Sequence, residues 1–259
     1  MLFDINTATG HWPFRQIPNE NISELKTLLT DKGITKAAVV NTNGVFYKNC
    51  HDANLELANQ ISKYPDFFTG IATLNPLYPK WEKDLQDCST QLKMKGLRLV
   101  PQYHNYNLNQ ACATEIVTVA TELNIPIFIP SRLVDVRQRH WMDTQTTLTV
   151  DEIGALSLIV PNSRIVITEC YVYPSQLKKL DGTIKYPNLY FEISRLSSAY
   201  GQEIAQIAEL IGQDHLFFGT GAPFKEVTSA LIKLNVMKCP EQTREQISYQ
   251  NAQKLFNIN

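Results

Sequence analysis

Short apolar runs recur along the chain, separated by stretches in which apolar residues fall at helical spacing. The runs are LFDI (2–5), AAVV (37–40), FFTGIATL (67–74), GLRLV (96–100), IPIFIP (125–130), RIVIT (164–168), LYFEI (189–193) and HLFFG (215–219). Each is too short for a core helix and rich in branched or aromatic residues, so each predicts a strand buried on both faces. Between them, Ile22, Leu25, Leu28 and Leu29 ahead of Gly33, then Leu55, Ala58 and Ile61, then Ile116, Val119, Ala120 and Leu123, and finally Ile204, Ile207, Ala208 and Ile211 predict amphipathic helices. Thr149 and Glu152 form a capping-box pattern, in which the hydroxyl accepts from the third amide and the carboxylate reaches back to the first.

Eight strands alternating with helices in 259 residues predict a single α/β domain over residues 1–259, a (β/α)₈ TIM barrel. An open doubly wound sheet is the alternative. It is disfavoured because no G-x-G-x-x-G follows the first strand and no G-x-x-x-x-G-K occurs anywhere in the chain.

Composition narrows the function classes. With 44% hydrophobic residues and a formal net charge of −1, the chain can bury one large core and has no global pull toward nucleic acid or anionic membrane. The start, MLFD, is neither a signal peptide nor a span, so the expectation is a soluble, cytoplasmic protein with no nucleic-acid or membrane partner. A homo-oligomer would be in keeping with the fold's habits. Cys50, Cys88, Cys112, Cys170 and Cys239 are odd in number and never form CxxC, which argues against a disulfide framework or a structural zinc site. Cys88 and Cys112 read as small core residues. Cys170, at the end of a strand, reads as packing or as a nucleophile.

In such a barrel the residues after each strand face the substrate. The first strand then offers Asn6, His11 and Arg15, the third Asn75, and the fourth Arg98, Tyr103 and His104. The fifth offers Arg132, Arg137 and His140, the sixth Glu169, and the seventh Glu192 and Arg195. Guanidinium groups fork onto carboxylates, imidazole titrates near neutrality, and a half-buried carboxylate beside arginines can be tuned for proton transfer. His104 and Glu169 are therefore the candidate catalytic pair, and the remainder are candidate binding residues for a small carboxylated compound. Each also has a structural reading. Arg98 could pair with Glu192, Arg132 with Glu169 or Asp135, and His104 could be a loop histidine.

FDINTATG resembles the opening of the amidohydrolase-related barrels, a metal-dependent hydrolase superfamily whose first strand normally ends in D-x-H-x-H. NPLYPKWEKDL after GIATL, KGLRLVPQYHNYNL, NLYFEIS, HLFFGTGAPF and the closing NAQKLF resemble that family's later segments in order. The resemblance implies a metal at the mouth. Matched position by position, however, its ligands become Asn6, Ala8, a residue near Pro130, Glu169 and Gly221, so the expectation is no metal and no cofactor. Within that superfamily the pyrone dicarboxylate lactonases are regarded as acting on carboxylates without a metal. Three functions follow: a metal-free hydrolase or decarboxylase, a non-catalytic barrel binding an anionic metabolite or a partner subunit, or a hydrolase with a metal relocated to Glu169, His104, His11 or Cys170.

Overall fold

The computed structural model describes residues 1–198 and 202–258. Among them eight parallel strands pair in sequence order, forming a (β/α)₈ barrel. They are β1 (Phe3–Thr9), β2 (Lys36–Asn41), β3 (Phe68–Thr73), β4 (Gly96–Arg98), β5 (Ile127–Pro130), β6 (Ile165–Thr168), β7 (Leu189–Glu192) and β8 (Leu216–Phe217). The helices are α1 (Ile22–Asp31), α2 (Cys50–Ile61), α3 (Trp81–Thr90), the short α4 (Pro101–His104), α5 (Ala111–Glu122), α6 (Val150–Ile159), α7 (Glu203–Ile211), α8 (Val227–Val236), α9 (Glu241–Glu245) and, after a π turn over Gln246–Gln250, α10 (Asn251–Phe256).

The seam between the first and last strands closes through backbone bonds: Ile5 N to Phe218 O at 3.0 Å, Gly221 N to Asn6 O at 2.9 Å and Ala8 N to Ala222 O at 2.8 Å. Asp4 latches the same seam. Its carboxylate accepts from the Thr220 hydroxyl at 2.5 Å, the Thr220 amide at 3.1 Å and the Asn6 amide at 3.0 Å. Burial pushes its pKa up to about 7 in spite of those bonds.

Alternation along the strands sorts the core into two shells. Inside the barrel lie Phe3, Ile5, Ala38, Val40, Ile71, Phe128, Val166 and Phe217. The residues between them, such as Val39, Leu97, Ile127, Ile129, Ile167 and Phe191, face the helices. Gly96 leaves room for Phe128, since a Cβ there would stand 2.8 Å from its ring. At the bottom, α10 closes the barrel by stacking Phe256 on Phe3 and on Phe128, with ring centroids 5.7 and 5.9 Å apart.

β1 runs past its apolar run because the polar residues that follow stay extended at the mouth, where a register shift between Asp4 and Thr7 re-aims them. The Thr149–Glu152 capping box forms. On α2 the buried face is Cys50, Ala53, Asn54 and Leu57, whereas Leu55 is exposed. The Asn54 amide turns the helix that way, bonding the Thr73 carbonyl and amide as a strand neighbour would.

Candidate active site

At the C-terminal ends of β6, β7 and β8, two carboxylates meet. Glu169, the residue after β6, has φ 54°, a left-handed conformation that costs a non-glycine residue roughly 1–3 kcal/mol. That turn points its amide at Glu192 Oε1, 2.8 Å away. Asn6 Nδ2 donates to Glu169 Oε1 at 2.8 Å and to Glu192 Oε1 at 3.2 Å, and the Ser194 hydroxyl donates to Glu192 Oε1 at 2.7 Å. Arg195 Nε donates to Glu169 Oε2, and the same guanidinium donates to Asp135 Oδ2 at 3.0 Å. Lys225 Nζ lies 3.9 Å from Glu169 Oε2. Burial, and then the neighbouring Glu169 charge, raise the pKa of Glu192; burial lowers that of Lys225.

Across the mouth, Arg98 stands at the end of β4, 6% exposed. Its guanidinium donates to the Thr73 hydroxyl at 3.1 Å and to the Asn41 carbonyl at 3.0 Å, both neutral acceptors. Among the described residues no carboxylate comes within ion-pair distance of it. Burial brings its pKa down to about 10. The buried Thr42 hydroxyl, which lines the same cavity, has no partner among the described residues.

Arg98, Asn6, Thr42 and Glu169 line one cavity, whose other walls are apolar: Ile5, Ala8, Val40, Ile71, Phe128, Leu133 and Phe224 among them. The void is about 40 Å³. That is room for about one or two waters, and far less than the roughly 150 Å³ that admits a benzene ring. Trp12, 1% exposed, packs edge-on against Phe14, Phe46, Tyr103 and Phe224 at 5.2–6.1 Å, and Phe224 of this aromatic cluster also lines the cavity.

The expected site residues divide accordingly. Asn6, Arg98 and Glu169 line the cavity, and Glu192 and Arg195 sit against Glu169. His104 does not line it. Its Nε2 faces the Gly44 carbonyl at 3.3 Å and the Cys50 thiol at 3.8 Å, its Nδ1 is buried without a partner, and burial lowers its pKa to about 4. His11 is exposed beside Glu20, and Arg137 is exposed on Asp135. Arg15 reaches the Phe224 carbonyl at 3.5 Å, Asn75 caps its own turn at Leu77, Tyr103 donates to Asp143, and His140 stacks on Phe14. Contrary to its structural reading, Arg132 pairs with neither Glu169 nor Asp135, and its buried Nε has no partner among the described residues; Arg195 takes both carboxylates. Nor does Arg98 pair with Glu192. Cys170 is buried and its thiol is pushed up to about 12, which fits packing.

A metal fits this donor set poorly. Ala8, Pro130 and Gly221 carry no donor side chain, Asn6 turns its N–H groups inward, and Glu169 is already bonded to a guanidinium. Among the described residues no three His, Cys, Asp or Glu side chains converge as a metal site. The position-by-position matching did not pick out Lys225; its signal was the lysine following GAPF, just beyond the eighth strand.

The sequence profile of the amidohydrolase family matches residues 6–258. No curated protein sequence matches the chain. Among solved structures, 5-carboxyvanillate decarboxylase LigW from Sphingomonas paucimobilis superposes with a TM-score of 0.78 at 14% identity, covering 100% of this chain and 99% of that one. 2,6-Dihydroxybenzoate decarboxylase from Rhizobium gives 0.71 at 16%, covering 99% and 98%. The 5-carboxyvanillate decarboxylase of Novosphingobium aromaticivorans, complexed with manganese and 4-hydroxy-3-methoxy-5-nitrobenzoic acid, gives 0.73 at 16%, covering 100% and 96%.

Proposed function

Because this chain belongs to the amidohydrolase family, we propose that it is a hydrolase or decarboxylase of that family which acts on a small carboxylated compound without a metal ion. Arg98 holds the carboxylate and Glu169 moves the proton. The observation that carries this reading is the buried guanidinium of Arg98, which has only neutral partners and faces the same cavity as Glu169. A buried cation without a counter-ion costs several kcal/mol, and an entering anion offsets that cost. The carboxylated aromatics named for the structural neighbours supply such an anion on an apolar body; the void of about 40 Å³ takes the carboxylate, and a ring behind it requires the apolar walls at Leu133 and Phe224 to give way.

Glu169, which lines the cavity beside Arg195 and Lys225, serves as general base. In hydrolysis it takes a proton from water as the oxygen attacks the scissile carbonyl carbon, then returns that proton to the leaving group. Decarboxylation needs the opposite delivery, a proton to the carbon that keeps the electron pair when CO₂ departs, and the same carboxyl group would be its source. Asn6, Ser194 and Glu192 hold Glu169 in place. His104, away from the cavity, takes no proton in this scheme.

The narrow void favours a second reading, a barrel that binds a small anion without turning it over. One experiment separates them. Chelator-treated protein is incubated with a panel of carboxylic acids that includes 5-carboxyvanillate, 2,6-dihydroxybenzoate and their amides and esters, and product and melting temperature are followed. Turnover that falls at least about 100-fold in Arg98→Met supports the proposal. Stabilisation without product selects the binder. Turnover abolished by the chelator removes the metal-free part, and neither product nor stabilisation removes the whole.

A further inference from the structure

Lys225 leaves β8 four residues beyond Gly221 and turns back onto the carboxylate cluster. Its Nζ donates to the Ser194 carbonyl at 2.7 Å and lies 3.9 Å from Glu169 Oε2. Lys233, on α8, donates to the same carbonyl at 2.6 Å, so a second ammonium crowds the spot. Room for this arrangement comes from Gly221. At φ 76° it carries no side chain, and a Cβ there would stand 2.4 Å from Glu169 Oε1 and 2.8 Å from Lys225 Cδ. Any larger residue at 221 would push Glu169 and Lys225 off their present positions. Gly219 does the same for Glu192, whose Oε2 would be 2.6 Å from an added Cβ.

Position 221 is where the resemblance places an aspartate ligand, and Glu169 falls where it places a histidine. We propose that Lys225, together with Arg195, is the built-in cation of this barrel, standing where related barrels would seat a metal ion and excluding a divalent ion from Glu169. This rests on the metal-independent reading above. Glu169 and Glu192 bring two buried negative charges together, and a guanidinium and an ammonium now compensate them. A divalent ion would have to displace both cations and strand them, buried, beside its own charge. It would also find Asn6 presenting N–H groups where it needs oxygen. Lys225 is thus a positioning residue. It acts through Glu169, holding that carboxylate against the cavity.

The test uses the full chain and needs no substrate. Mn²⁺ is titrated into wild type, Lys225→Glu and Lys225→Ala, with bound Mn²⁺ read by electron paramagnetic resonance and melting temperature read in parallel. Wild type is expected to bind none tightly and to melt at the same temperature with or without the ion. Lys225→Glu places a third carboxylate at the locus. It should melt lower than wild type without metal and recover by roughly 5–10 °C at saturating Mn²⁺, as expected for ligand at about 100 times its Kd. If that variant does not fold, Lys225→Ala carries the test with methylammonium as probe, which should raise its melting temperature and leave wild type unchanged. Stoichiometric Mn²⁺ on wild type that disappears in Glu169→Gln overturns the proposal. So does indifference of the folded variants to both Mn²⁺ and methylammonium. Either result leaves carboxylate binding at Arg98 standing, so the two failures can be told apart.

Discussion

The two halves of the barrel mouth solve the problem of buried charge in opposite ways. On the β6–β8 side, Glu169, Glu192 and Asp135 face Arg195 and Lys225, and each carboxylate has a cation or several hydrogen-bond donors within reach. On the β2–β4 side a single guanidinium, Arg98, rests on a hydroxyl and a carbonyl. The first half is neutralised by itself and gains little from a ligand's charge. The second carries an uncompensated charge and gains most from an anion. Binding and proton transfer thus fall to different halves, and substitutions in them should have effects of opposite sign.

The largest effect is expected at Glu169. Glu169→Gln keeps the shape but leaves Arg195 and Lys225 facing a neutral amide. Removing one partner of a buried pair costs about 3–5 kcal/mol, and losing a positioned general base lowers turnover about 10²–10⁴-fold. Chemical denaturation and steady-state rates, measured on the same preparation, check both. A variant as stable as wild type would mean that the neutralised half is not neutralised by this carboxylate.

Arg98→Met should behave in the reverse sense. Methionine fills similar space without a charge to desolvate, so stability is expected to hold or to rise by about 1–3 kcal/mol. Stabilisation by added carboxylates should vanish. A loss of stability comparable to that of Glu169→Gln would erase the contrast between the halves.

The seam below both halves gives the comparison a pH axis. Asp4 has a folded pKa raised to about 7 by burial, against an ordinary value of 3.8. Its contribution to stability is therefore fully present below about pH 4 and is lost as pH rises through 7. His104, lowered to about 4 from 6.5, acts oppositely: its contribution is present above 6.5 and is lost as pH falls toward 4. In wild type the two slopes offset each other between pH 4 and 6.5. In Asp4→Asn the opposing Asp4 slope is gone, so stability should rise more steeply with pH across that window than in wild type. A difference between variant and wild type that does not change with pH would mean that Asp4 is not held as a buried acid.

The barrel was legible in the sequence because it rests on local periodicity. The runs at 37–40, 125–130 and 164–168 are apolar on both faces, and only a covered parallel sheet accepts that pattern, whichever residues line the mouth. Site partners follow other rules. Arg98, Arg132 and Arg195 all sit at strand ends, and their reach is long enough that the sequence reading paired Glu169 with Arg132, whereas its partner is Arg195. The structure settles it through the left-handed turn at Glu169, which no residue-level signal announces for a glutamate. His104 has a related reason: it ends α4, and its ring meets Cys50 and the Gly44 carbonyl instead of the cavity. Lys225 lies past the strand, where the matching of strand ends stops.

The smallest expected effect belongs to Thr42, and it isolates the uncompensated half most cleanly. Its hydroxyl is buried and, among the described residues, without a partner in the cavity that Arg98 also lines. A buried polar atom left unsatisfied costs free energy, so an apolar isostere there should be neutral or mildly stabilising, within about 1 kcal/mol. Thr42→Val is such an isostere. If the hydroxyl waits for the same anion as Arg98, the variant should lose about one hydrogen bond's worth of carboxylate affinity, roughly fivefold to tenfold, while its stability without ligand is unchanged. Calorimetric titration of benzoate into wild type and variant reads the affinity, and thermal unfolding without benzoate reads the stability. Equal benzoate affinities would place the anion away from Thr42 and confine it to the guanidinium. A loss of stability without ligand would mean that Thr42 already has a partner, and the half of the mouth around Arg98 would no longer count as unsatisfied.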